Sequence, residues 1–241
     1  MYRNINEYKL RYTDVDVYDK AKLSTILSFL EESACLSADE LGFGYDVLAP
    51  KNLGFIIVNL YMEFEEDIVL GDTVAVHTWP IKPRHSVFFR DSELYVNGKK
   101  VGASTARWFM IDTSSYTLMP SSAHFKDEEF ESYNTERALE FSKWKIMPQP
   151  DAEFVYSKTA TYSDCDHYFH VNNTKYADIL MDAFTIEELK GKILKSVQIT
   201  YVKQCKAGEE IKVYKKLSED FYYIEGRVEG ELRVQMKVKI V

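Results

Sequence analysis

Tyr162–Asn173 reads YSDCDHYFHVNN, and 150 residues earlier Tyr12–Tyr18 reads YTDVDVY. Both follow the pattern Tyr-x-Asp-x-Asp-x-Tyr. Each precedes a segment that is apolar at helical spacing, STILSFLEESA after the first and TKYADILMDAF after the second. Further along, LGDTVAV (Leu70–Val76) resembles AGEEIKV (Ala207–Val213), and YVNGKKV (Tyr95–Val101) resembles RVEGELRV (Arg227–Val234). The offset shrinks from 150 through 137 to 132 residues, as loops of unequal length in two copies of one unit would make it do. An internal repeat governs the whole architecture, so the chain reads as one unit used twice.

Each copy reads as a short strand, one long helix and a run of strands. The first helix is expected over Leu23–Leu41, with Gly42 as its stop. Strands are expected near Phe55–Glu65, Thr73–Pro80, Ser86–Val96 and Lys100–Ile111. Asn97-Gly98 is a hairpin signal, since both turn positions need positive φ. The second helix is expected over Asn173–Leu189, and strands near Ser196–Gln204, Glu210–Leu217, Phe221–Val228 and Leu232–Ile240. Residues 1–112 then form an N-terminal unit, 113–150 a partly helical connector crossing between the copies, and 151–241 a C-terminal unit. A long helix and an antiparallel sheet, given twice, is an α+β plan in which each sheet curls round its helix. Two such units can pair edge to edge and remove exposed strand edges.

Composition narrows the function. The net charge of −8 argues against general affinity for nucleic acid or anionic membrane. Three cysteines, Cys35, Cys165 and Cys205, lack close spacing and point to a reducing compartment. No apolar signal core opens the chain, and GFIIVNLYM is too short to span a bilayer. The expectation is a cytoplasmic protein.

Only the second copy carries dense polar chemistry: where it has FHVNN, the first has DKAKL. A scaffold needs its apolar residues and glycines in both halves, but it does not need His170, Asn172 and Asn173 in one. Four readings follow. Asn172 or Asn173 could cap a helix, with Asp164 and its repeat Asp14 serving turn amides. Asp164, Asp166, His167 and His170 could hold a metal, although the run matches no defined metal motif. Cys205 could be a nucleophile with His170 as base. Or Asp166 and His170 could activate water beside a helix start whose free N–H groups hold an oxyanion, a plan for ester or thioester hydrolysis.

SDCDHYFHVNNTKYADILMDAF resembles the C-terminal half of the acyl–acyl carrier protein thioesterases, the plant and bacterial double-hotdog family, whose loop reads S-D-x-D-x-N-x-H-V-N-N followed by x-x-Y. Ser163, Asp164, Asp166, His170, Val171, Asn172, Asn173 and Tyr176 match it. LSTILSFLEESACLSADELGFGYDVL and DTVAVHTWPIKPRHSVFFRDSEL are similar to the family's N-terminal half. The resemblance implies a tandem hotdog, with an acyl pocket in the N-terminal copy and a catalytic loop in the C-terminal one. It implies hydrolysis of fatty acyl–acyl carrier protein without metal or cofactor, with acyl carrier protein as partner and room for a homodimer. Asp166 and His170 fall on catalytic positions, joined by Gln204. Tyr168 contacts substrate, and backbone amides at Val171 and Asn172 form the oxyanion site. Two positions depart from the family: Tyr168 replaces an Asn, and Gln204 replaces an acid, so it cannot take a proton. Lys82, Arg84, Lys99 and Lys100 are candidates for docking the acidic carrier. The alternatives are an acyl-coenzyme A thioesterase of the same fold and a non-catalytic acyl-binding protein.

Overall fold

The two tyrosine–aspartate stretches fold into the same turn. Each opens with one 3-10 turn, Tyr12–Asp14 and Tyr162–Asp164. The aspartate accepts the backbone N–H three residues before it, Asp14 from Arg11 and Asp164 from Thr161, both at 2.8 Å. Asp16 N–H then donates to Lys20 O at 2.8 Å, and Asp166 N–H to His170 O at 3.0 Å. Asp19 (φ 59°) and Phe169 (φ 63°) take the same left-handed position. Lys22 N–H donates to Asp14 O, and Asn172 N–H to Asp164 O.

This computed structural model describes residues 2–123, 125–126 and 133–241. Its strands are β1 (Asn4–Lys9), β2 (Leu53–Phe64), β3 (Thr73–Arg84), β4 (Val87–Val96), β5 (Lys99–Asp112), β6 (Thr117–Met119), β7 (Glu153–Thr159), β8 (Leu194–Tyr201), β9 (Glu210–Leu217), β10 (Tyr222–Val228) and β11 (Glu231–Ile240). Its helices are α1 (Leu23–Glu40), α2 (Tyr45–Leu48), α3 (Lys175–Met181) and α4 (Ile186–Leu189). The fold is α+β, with a large antiparallel sheet and few helices. The sheet runs β1-β3-β4-β5-β2-β8-β11-β10-β9-β7, with β6 paired to β5. The first half's order, first-third-fourth-fifth-second strand, returns in mirror sequence in the second. The halves meet through β2 and β8, with Tyr61 opposite Gln198, Leu60 opposite Ile199 and Met62 opposite Val197. Because Tyr61 pairs with its own counterpart, and Leu60 and Met62 each pair with the counterpart of the other, this junction is self-complementary, like a two-fold interface within one chain. It removes one pair of sheet edges, while β1 and β7 remain at the ends.

α1 buries Leu23, Ile26, Leu27, Phe29, Leu30 and Ala34 at helical spacing and packs on β1, β3 and α3. It ends as expected: Phe43 N–H donates to Ala38 O, Gly42 N–H donates to Asp39 O, and Gly42 sits at φ 80°. The single second helix over Asn173–Leu189 is not found. It breaks between α3 and α4, where Thr185 caps α4: its hydroxyl accepts Glu188 N–H while the Glu188 carboxylate accepts Thr185 N–H. TIEEL is a helix-start signal inside the apolar pattern.

The connector is not helical beyond one 3-10 turn, Ser121–Ala123, among its described residues; residues 124 and 127–132 lie outside them. It crosses the sheet in extended form. Trp79 Nε1 donates to Glu136 O at 3.0 Å, Arg137 pairs with buried Asp91 at 2.8 Å, and Phe141 stacks on Tyr61 at 3.8 Å. Gln198 Nε2 donates to the Lys143 and Trp144 carbonyls, both at 2.9 Å. The connector therefore spans the β2–β8 junction.

Candidate active site

The Asp166–Asn172 loop of the second half is set against α1 of the first. Asn172 Oδ1 accepts the backbone N–H and hydroxyl of Thr174, at 2.9 and 2.6 Å. Its side chain also faces the Glu31 carboxyl of α1 and favours that group's ionised form. Burial first, then the neighbouring Asp166 carboxylate, pushes the Glu31 carboxyl above the ordinary range, and the Asn172 side chain opposes them. Glu31 was not among the candidates read from sequence. On α1 it is one charged residue in a pattern that demands some, and only the partner copy's loop gives it a role.

Glu31 also lines an internal cavity with Leu27, Leu30, Ile57, Leu60 and Trp108 of the first half and Asn173, Thr174 and Tyr201 of the second. The cavity measures about 30 Å³, room for about one water. A long apolar ligand enters only by displacing the lining side chains. In the matching region of the second half Ile179, Leu180, Ile199, Ile211, Ile224 and Met236 are all fully buried and packed together.

Asp166 is half-buried, and its Oδ1 accepts Tyr168 N–H at 2.9 Å. His170 is also half-buried. Burial, followed by Lys206, lowers its pKa against the pull of Asp166, which favours a neutral imidazole. Its Nδ1 is buried without a hydrogen-bond partner among the described residues. Tyr168 stands half-exposed on the loop, against His167 (centroids 3.9 Å) and Tyr45 of α2 (6.3 Å). Its phenol pKa is raised by burial, Tyr45 and Asp166. Gln204 is exposed, with no side-chain partner among the described residues.

Three expectations are corrected. Val171 N–H donates to Cys205 O at 2.8 Å and Asn172 N–H to Asp164 O at 2.9 Å. Both amides are engaged in holding the loop, so neither is available to an oxyanion. The Asn173 N–H, beside the cavity, has no acceptor among the described residues. Second, Cys205 is fully buried, burial raises its thiol pKa, and its backbone N–H donates to the Tyr176 hydroxyl at 2.8 Å. It braces α3 and is no nucleophile. Third, the four docking residues form no single patch. Lys82 and Arg84 lie at one end of β3, while Lys99 and Lys100 lie beyond the far end of β4, roughly 30 Å away at strand rise. Lys99 is paired with Glu66, and Lys100 with Glu93 at 3.0 Å.

The metal reading loses Asp164, whose carboxylate is taken by Thr161 and by Lys158 at 2.9 Å. Among the described residues, no three His, Cys, Asp or Glu side chains converge to hold an ion. No helix there is long and apolar enough to cross a membrane.

Known proteins match this architecture along its length. The acyl-ACP thioesterase N-terminal domain matches residues 2–122, and the C-terminal domain of the same family matches residues 149–240. The chain is 23% identical over 224 residues to the chloroplastic oleoyl-acyl carrier protein thioesterase 1 of Arabidopsis thaliana, covering 85% of this chain and 61% of that one. It is 25% identical over 214 residues to the chloroplastic palmitoyl-acyl carrier protein thioesterase of Gossypium hirsutum, covering 82% and 51%. The chain thus spans between half and two thirds of the length of these relatives. The crystal structure of an acyl-ACP thioesterase from Bacteroides thetaiotaomicron superposes with a TM-score of 0.88 at 22% identity, over 99% of this chain and 98% of that one. The 12:0-ACP thioesterase from Umbellularia californica superposes with a TM-score of 0.85 at 16% identity, over 99% and 97%. At these identities the superpositions establish a shared fold, and the domain matches, which together take in most of the sequence, place the chain in the acyl-ACP thioesterase family.

Proposed function

We propose that this protein hydrolyses fatty acyl thioesters of acyl carrier protein, releasing the free fatty acid and the carrier thiol. In this reading the chain is a tandem hotdog, with residues 1–112 holding the acyl chain, 113–150 connecting, and 151–241 carrying the catalytic loop. The observation that carries it is the unequal use of one turn. The same backbone occurs twice, but only the second copy presents a carboxylate together with a neutral imidazole, on the loop that runs into Asn173 and Thr174, which line the cavity.

Asp166 takes a proton from water as the water oxygen attacks the thioester carbonyl. His170 and the Asn173 N–H steady the oxyanion. The C–S bond then breaks, and Glu31, which holds its proton more tightly than an ordinary carboxyl, donates it to the departing sulfur. Tyr168 lines the entrance, and Gln204 orients water from the solvent side. Of the basic candidates, Lys82 and Arg84 suit an acidic carrier best. They share the end of the sheet that carries α2 and Tyr45, and among the described residues no carboxylate pairs with them.

The test is thiol release from a panel of acyl–acyl carrier proteins, by the wild type and by Asp166→Ala, beside acyl-coenzyme A of equal acyl length. Turnover by the wild type that collapses in the variant is the expected result, with the coenzyme A ester slower. Wild-type turnover that survives in Asp166→Ala would remove the assignment of the site. Tight acyl binding with no turnover on any carrier would replace it with the acyl-binding reading that Tyr168 and Gln204 invite.

A further inference from the structure

One wall of the cavity is polar, with Ser92 Oγ donating to Thr78 Oγ1 at 2.9 Å, and it carries a charge without a carboxylate partner among the described residues. Arg90 lines it from β4, and among the described residues no carboxylate lies within ion-pair distance of its guanidinium. Its side-chain hydrogen bonds there come from Nη1 alone, to Ser37 Oγ at 2.9 Å and Thr78 Oγ1 at 3.4 Å. Asp91, next in sequence, points to the opposite face and is held by Arg137. Ser92 and Ser104 face each other across β4 and β5 and also line the cavity, each 3% exposed. Trp108, two steps beyond Ser104 on the same face of β5, keeps its indole Nε1–H buried without an acceptor among the described residues.

The repeat shows that the scaffold does not require these groups. By strand register, Arg90, Ser92, Ser104 and Trp108 correspond to Tyr222, Ile224, Met236 and Ile240 of the second half. That half builds the same sheet with apolar residues. An unpaired indole N–H and an uncompensated guanidinium both cost free energy to bury. Both are donors without a lone pair, so what satisfies them is an acceptor oxygen.

We infer that the cavity accepts an acyl chain bearing an oxygen, a hydroxyacyl or oxoacyl group, with that oxygen held between Arg90 and Trp108. The thioester half of this statement rests on the proposed function; the oxygen-reading half does not. β4 lies three strands from β8, whose Tyr201 marks the reactive end, a separation of roughly 14 Å. The oxygen therefore belongs far along the chain, not beside the thioester.

The experiment compares kcat/KM for hydroxyacyl, oxoacyl and saturated acyl–acyl carrier proteins of one length, with the oxygen moved along the chain. The wild type is expected to favour one oxygen position by at least about tenfold over the saturated chain. Arg90→Met should bring that ratio towards one. Trp108→Phe, which removes the N–H and keeps an aromatic ring, should lower it severalfold and serves if Arg90→Met does not fold. A wild-type ratio of one or below at every position, or a ratio unmoved in both variants, overturns the inference. Calorimetry of the free hydroxy and saturated fatty acids with the wild type separates the two readings. A hydroxy preference in binding without turnover upholds the oxygen site and rejects the thioesterase. Turnover without any preference does the reverse.

Discussion

Residues 12–22 and 162–172 are one turn put to two uses. In the first copy Asp16 Oδ1 accepts two amides, from Tyr18 at 2.8 Å and Lys20 at 3.0 Å. In the second, Asp166 Oδ1 accepts, among the described residues, only that of Tyr168. The first aspartate is committed to its own loop, and the second has acceptor capacity left over. The same division runs through the cores: the first half keeps a cavity and a polar wall, and the second is filled with isoleucine, methionine and valine. Each copy has given up what the other supplies, and the site forms where α1 of one meets the loop of the other.

The largest expected effect breaks the comparison at the two aspartates. Asp166→Ala should lose on the order of 10²–10³ in kcat with little change in stability. Asp16→Ala should do the opposite, costing about 1 kcal/mol in denaturant unfolding at unchanged kcat. Equal losses of activity in both would mean that the turn matters only as a scaffold.

Next comes grafting the second core onto the first. Ser92→Ile with Ser104→Met installs the residues that the second half uses at those positions. Added bulk in a cavity of this size costs about 1–3 kcal/mol in overpacking, partly offset by losing buried hydroxyls. The expected result is a folded protein whose kcat/KM on long acyl chains falls by about tenfold or more. Undiminished kcat/KM would place the acyl chain elsewhere.

Glu31→Gln should lower kcat by about a hundredfold, the lower end of what a general acid contributes, and it carries a stability signature. The folded state raises the Glu31 pKa. Its stabilising contribution is therefore present at low pH and lost as pH rises through that raised value. The amide cannot ionise, so the melting temperature of the variant should gain on the wild type as pH increases. A difference constant with pH would show that Glu31 is not held in this way.

Much of this was legible in the sequence because repetition doubles every weak signal. YTDVDVY and YSDCDHY locate both turns, and Asn97-Gly98 and Glu229-Gly230 both reach positive φ at the tips of matching hairpins. What stayed hidden depends on three dimensions. Amide spacing alone suggests that Val171 and Asn172 are free, because the strand and turn that absorb their N–H groups are distant or unpatterned. Lys99 and Lys100 join Lys82 and Arg84 in sequence, yet a ten-residue strand holds the pairs apart. The break at Thr185 was visible in TIEEL but outweighed by the apolar periodicity around it.

The smallest effect concerns Gln204. By the repeat offset its counterpart is Asp67, and the counterpart of His170 is Lys20. In the first copy those two form an ion pair at 2.6 Å. The second copy keeps the backbone of this arrangement, with bridges Lys20–Val69 and His170–Lys206 at matching places. Its side chains, however, leave His170 Nδ1 without an acceptor among the described residues and Gln204 exposed to solvent. Gln204→Ala, an exposed change, should alter kcat by no more than about twofold. Gln204→Glu should instead supply the missing carboxylate, stabilise the imidazolium and raise the His170 pKa, read directly from the imidazole proton shifts in an NMR titration. Stability gained from such a pair is present below the unfolded histidine pKa and lost as pH rises through the raised folded value, so the variant should gain on the wild type in mild acid. An unmoved His170 titration would mean that the loop holds the two side chains apart, and that the neutral imidazole is fixed by its own burial, whatever stands at position 204.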